Sequence, residues 1–277
     1  MQLLDILSGL VTEFIVVILG TLGGIALKSA YDFIRKRTRL RHMRRVFGEI
    51  EDLRGQVRFV LPKFKPMTYD DFAGGDKTFM VKDCLANRSG TKLKDLKVPM
   101  YSEVLVIDDY LAFKRIEQLF TEYGYGSLEF CDDVQALREW RKVLILCFGG
   151  PRSNQKLRQI MNHEACDFIT LDDSSDLLSD WTLTYNVGGK SETFNPTEET
   201  AYGFIFKMQN PNYEPGHIIA IVGDSAFSTD MSARFLSENL VRLSTQFHQG
   251  NFLIILKGDR DMYDTVKIER ALVLDGE

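Results

Sequence analysis

Three short stretches of this 277-residue chain carry residue types that can do chemistry. "CFGGPRSN", Cys147 to Asn154, follows the apolar run "KVLILCF" and precedes the helix-like "NQKLRQIMNHE". Gly149 and Gly150 permit positive φ and close approach of a ligand to the backbone. Arg152 offers a guanidinium fork suited to phosphate or carboxylate. Ser153 or Asn154 can cap the next helix, whose first N–H groups attract anions. "GDSAFSTD" repeats the pattern: Gly223 breaks an apolar run, and Asp224, Ser225, Ser228 and Thr229 stand where a long helix begins. The third stretch, "VIDD", ends in Asp108 and Asp109. The expected ligand site is Gly149, Gly150, Arg152, Ser153, Asn154, Gly223, Asp224, Ser225, Ser228, Thr229 and Asp108. Plain turn and cap chemistry uses the same residue types, and neither corner matches GxGxxG or GxxxxGK[ST].

Catalytic and metal constellations are sparse. His42, His163, His217 and His248 share no metal-ligand spacing and read as surface residues. Cys84, Cys131, Cys147 and Cys166 form no CxxC pair and read as reduced thiols, with neither zinc nor a disulfide framework. No GxSxG elbow is present, which argues against a serine hydrolase. Asp108, Asp109 and Asp224 suit acid/base work or, equally, the start of a helix. No catalytic residue, metal or cofactor is assigned.

The elements that would position these corners alternate. From residue 101, apolar runs at "EVLVIDD", "KVLILCF", "YGFIFKM", "HIIAIVGD" and "NFLIILKG" are separated by segments of helical spacing such as "YLAFKRIEQLFTEYG" and "STDMSARFLSENLVRLSTQF". The expected fold is α/β, a Rossmann-like three-layer sandwich with a mostly parallel sheet. In such sheets ligands bind beyond the carboxyl ends of the strands, where all three stretches fall.

The amino-terminal part has a different character. Ile6 to Leu27 holds 22 residues with one charge, Glu13, although the uninterrupted apolar core, Phe14 to Leu27, is 14 residues. Eight basic residues follow between Lys28 and Arg45, against one acid, Asp32. This pattern predicts one transmembrane helix with a cytoplasmic body, in an inner (plasma) membrane. Gly20 and Gly24 share one face, a spacing that lets two such helices approach. Of 34 basic and 39 acidic residues, 26 and 36 lie after Arg45, a net of −10 for the remainder. That charge disfavours direct binding of a DNA or RNA duplex. The expected division is 1–28 anchor, 29–62 basic connecting helix ended by Pro62, 63–100 linker or small lobe, and 101–277 ligand-binding domain.

An anchor, a basic collar and a Rossmann-like body with the corners "FGGPRSN" and "GDSAFSTD" resembles the single-pass membrane effectors of bacterial nucleotide-signalled antiphage defence, of the CBASS and CRISPR-linked types. The resemblance implies a cytosolic sensor for a nucleotide-like ligand, such as a cyclic oligonucleotide. It also implies a lipid bilayer partner, homo-oligomerisation and membrane disruption, with binding rather than turnover as the activity. The alternative is a membrane-anchored nucleotide- or NAD-hydrolysing enzyme with Asp108, Asp109 or Asp224 as the working acid.

Overall fold

The computed structural model describes residues 2–48, 57–62, 107–125, 130–150, 153–172, 182–247, 250–260 and 262–274, with side chains from residue 21 onward except those of Asp132, Leu171 and Asp172. Helix α1, Gln2–Phe47, leads to strand β1, Val57–Leu61, and helix α2, Ile107–Glu122. Then come β2 (Phe130–Asp132), the short α3 (Asp133–Ala136), β3 (Leu144–Phe148) and α4 (Gln155–Met161). Strands β4 (Ile169–Asp172), β5 (Thr182–Val187), β6 (Lys190–Phe194), β7 (Thr200–Gln209) and β8 (His217–Gly223) follow. Helices α5 (Ala226–Glu238) and α6 (Leu240–Phe247) precede β9 (Phe252–Asp259) and β10 (Lys267–Val273).

Among the described residues seven strands form one sheet in the order β10-β9-β7-β8-β3-β1-β2, and β4-β5-β6 form a second. Two apolar clusters cover the large sheet. One joins Met43 and Phe47 of α1 to α2, α5, α6 and residues such as Phe59 and Ile219. The other joins Leu157 and Ile160 of α4 and the small sheet to residues such as Cys147 and Ala220. The protein is thus a layered α/β structure, but its sheet is mixed and not mostly parallel. β1, β2, β3 and β8 pair in parallel, whereas β7–β8, β7–β9 and β9–β10 are antiparallel, as is the whole small sheet. Continuous apolar runs mark strands buried on both faces, and β7 and β9 are so buried whichever way they run.

Three local expectations are also corrected. The helix expected to continue to about Leu61 ends at Phe47, where Gly48 takes φ +93° and its N–H closes on the Arg44 carbonyl. Val57–Leu61 is a buried strand because Phe59 fills the space between helix and sheet, its ring 5.4 Å from Phe113, 5.6 Å from Phe120 and 5.9 Å from Phe148. Asp108 and Asp109 lie in the first turn of α2 rather than at the end of a strand.

No helix among the described residues is long and apolar enough to cross a membrane, so the expected transmembrane anchor and single-pass placement are not supported. The physical reason is visible in the sequence: the uninterrupted apolar run is 14 residues, against the ~20 that a bilayer core needs, and it meets Lys28 directly. Gly24 has no neighbouring atom within 4 Å of the place a Cβ would occupy, so no helix among the described residues packs there.

Candidate functional site

β1 and β3 are parallel neighbours, so their carboxyl ends lie side by side. The helix after β1, α2, covers one face, whereas α4, after β3, covers the other. A crevice beyond two such strand ends is where open α/β sheets seat ligands. Pro62, Gly149 and Gly150 lie at these strand ends, with Gly223 at the end of the next strand.

Gly149 has φ +86°, a conformation a β-carbon disfavours. A Cβ there would lie 3.0 Å from Asp109 Oδ2, 3.1 Å from Pro62 Cγ and 3.3 Å from Ser153 Oγ. The corner therefore brings together Gly149, Ser153 and an acid from a different element. The second corner abuts the first, since a Cβ on Gly150 would stand 3.5 Å from the Gly223 carbonyl.

Asp109 is the chemically distinctive group. It is 4% exposed, and its Oδ1 is buried with no hydrogen-bond partner. Burial pushes its pKa up to about 7; a hydrogen bond from Thr229 opposes the shift and the Asp108 charge adds to it. Both protonation states are therefore present near neutral pH, and Oδ1 in either form can accept a hydrogen bond.

The remaining expected site residues serve the fold. The Asn154 side chain, fully buried, accepts from Leu157 N at 2.9 Å as the N-cap of α4. Its Nδ2 donates to the carbonyls of Phe148, at 2.9 Å, and Val60, at 3.3 Å, so one amide fastens β3 and β1 together. Ser153 Oγ and N and Asn154 N all donate to the Gly150 carbonyl. Ser225 and Ser228 form a capping box on α5, with Ser228 N donating to Ser225 Oγ at 3.3 Å and Ser225 N to Ser228 Oγ at 2.8 Å. Gly223 leaves no room for a ligand: a Cβ there would be 2.3 Å from Thr229 N and 2.4 Å from the Ser228 carbonyl carbon. Its missing side chain lets the first turn of α5 sit on the strand end.

Asp224 is held in a knot of its own. It accepts from both serine hydroxyls and, at 2.9 Å, from Arg260 Nη2, which also binds the Thr197 carbonyl at 2.8 Å. Burial raises its pKa, and Arg260 pulls it back. With both carboxylate oxygens engaged, it is a poor acid for catalysis. Sequence reasoning missed Arg260 and Pro62 because neither lies near a corner in the chain. Asp108, beside Asp109, is half-buried, and Arg152 lies outside the described residues. Two histidines expected on the surface are half-buried: His42 shares a 2.6 Å hydrogen bond with Ser244, and His217 packs on Gly48. His163 caps a short 3-10 turn, and His248 lies outside the described residues.

A polar cavity of about 550 Å³ between α5 and β10, lined by Arg234, Arg242, Tyr263 and Lys267 among others, lies away from these corners. Arg234 there is already engaged by Glu238 at 2.8 Å and by the Tyr263 ring. Among the described residues no group of three His, Cys, Asp or Glu could hold a metal ion. No family model matches the chain, and no curated protein matches it.

Proposed function

We propose that this protein binds a nucleotide-like small molecule at the carboxyl ends of β1 and β3, with Asp109 as the polar anchor. One observation carries the reading: a buried carboxylate oxygen without a partner, beside a glycine whose conformation keeps side chains away. Leaving a buried acceptor unpaired costs about 1–3 kcal/mol, so a ligand that donates to it recovers that energy. The acid favours a donor group, such as a sugar hydroxyl or an amine, over a phosphate, which an ionised Asp109 would repel. Any phosphate then lies outside the pocket, away from Asp109.

The proximity of the Asp109 pKa to neutrality favours a second reading, a hydrolase with Asp109 as general acid or base. The two part on turnover. Calorimetry of the full chain with nucleosides, mononucleotides, a nicotinamide dinucleotide and cyclic oligonucleotides, followed by chromatography of the recovered ligand, separates them. Binding of one class with the ligand recovered intact is expected, together with a roughly ten- to hundredfold loss of affinity in Asp109→Asn. Recovery of a cleaved product selects the hydrolase, and binding that is indifferent to Asp109→Asn removes the site.

A further inference from the structure

The basic stretch of α1 is not absorbed by the site just described, and its placement is specific. The stripe Asp32, Arg35, Lys36 and Arg39 faces the body, forming a crevice with Glu122, Tyr123 and Gly124 at the end of α2. The Arg39 guanidinium stands 5.9 Å from the centre of the Tyr123 ring, and Lys36 Nζ lies 3.8 Å from the place a Cβ would take on Gly124. Residues three and four apart share a helix face, so Leu27, Ala30, Ile34, Arg37 and Arg41 form one seam on the opposite side. All five are exposed. Leu27 is 74% exposed, Ile34 63% and the flanking Phe33 65%. The outward side of α1 is thus apolar for two turns and cationic for the next.

We infer that this outward seam of α1 docks on an anionic lipid surface. The apolar half suits the boundary between headgroups and acyl chains, while Arg37 and Arg41 reach phosphate or carboxylate headgroups. This is adhesion along a surface and needs no spanning segment. The charge balance orients it: residues after Arg45 carry a net −10, so an anionic surface repels the body and attracts α1. Two other occupants fit less well. A second copy paired along the seam would bring Arg37 and Arg41 against their own counterparts, and like charges at such a seam repel. A nucleic-acid duplex offers nothing apolar to cover Leu27, Phe33 and Ile34.

The test is co-sedimentation of the full chain with phosphatidylcholine vesicles, with and without phosphatidylglycerol, at increasing salt. Binding is expected only with the anionic lipid and should weaken as salt rises. Arg37→Gln and Arg41→Gln should each lower the partition coefficient about fivefold, and Phe33→Ser should lower it further. These side chains are exposed, so the melting temperature should not move. Equal binding to neutral vesicles overturns the inference, as does binding unaffected by the double arginine variant. Tighter retention on duplex DNA than on anionic vesicles, or a dimer in sedimentation that Ile34→Asn dissolves, overturns it in favour of the other occupants.

Discussion

The two ends of the β3–β8 strand pair each hold a titratable side chain with a buried polar atom, next to a glycine with positive φ. At the carboxyl end Asp109 lies against Gly149; at the amino end the His217 ring lies against Gly48, 2.5 Å from the place its Cβ would occupy. Each keeps one polar atom unpaired, Asp109 Oδ1 and His217 Nδ1. Burial favours the neutral form of both, and so moves their pKa values in opposite directions. Asp109 rises to about 7, whereas His217 falls to about 4, with Lys207 adding to the fall. The difference lies in what surrounds them. His217 closes the joint between α1 and the sheet, a structural seam. Asp109 lies at the carboxyl ends of β1 and β3, beside Gly149 and Pro62, where it closes no such joint.

The pH behaviour follows from the signs. A carboxyl whose folded pKa is raised contributes its full stability below the unfolded value of 3.8 and loses it as pH climbs toward 7. A histidine whose folded pKa is lowered contributes fully above 6.5 and loses stability as pH falls toward 4. Across that shared window the two slopes oppose each other. The wild-type melting temperature should therefore change little between these limits, and removing one group should expose the slope of the other.

Four substitutions test the contrast. The largest effect is expected from Gly223→Ala, because the new methyl meets main-chain atoms of α5 that cannot rotate away. A loss of about 4 kcal/mol in denaturant unfolding is expected; a loss below 1 kcal/mol would show that the first turn of α5 can move. Gly48→Ala should cost about 2–3 kcal/mol, from left-handed backbone and the His217 clash combined. It should also loosen α1, read as faster proteolysis before Phe47. Asp109→Asn should stabilise the protein at pH 8 by about 2 kcal/mol, after the cost of burying an amide donor, while weakening ligand binding about ten- to hundredfold. Its melting temperature should then fall on acidification as His217 acts alone. Destabilisation at pH 8 would mean that Asp109 is a structural acid. The smallest effect belongs to His217→Gln, which should leave stability at pH 7 nearly unchanged and reveal a decline from acidic toward neutral pH caused by Asp109.

The sequence makes the central strands plain: "KVLILCF" and "HIIAIVGD" lie adjacent, and their glycine corners abut. Strand direction is not legible in such runs, since burial on both faces writes the same pattern for antiparallel β7 and parallel β3. β1 is hidden because five residues after a long helical pattern carry too little periodicity, and what makes them a strand is Phe59 packing on residues far along the chain. The site was half legible. Gly149, Ser153 and Thr229 converge with Asp109, but Asn154, Ser225 and Ser228 spend their polar atoms on caps, as the same residue types do in any helix start. Only the positions of Leu157 N and Ser228 N decide which role a cap residue plays.

The Asn154 amide has a kinetic consequence. β1 lies between β2 and β3 in the sheet, yet Leu61 and its partner Asp132 come from distant parts of the chain, and Asn154 reaches Val60 from farther still. Contacts of such separation form only after a large loop has closed, so a chain assembling this sheet gains little from them early. The transition state should hold β7, β8 and α5, whose contacts are local, while β1 and β3 are still outside the ladder. Asn154→Ala would then accelerate unfolding much more than it slows refolding.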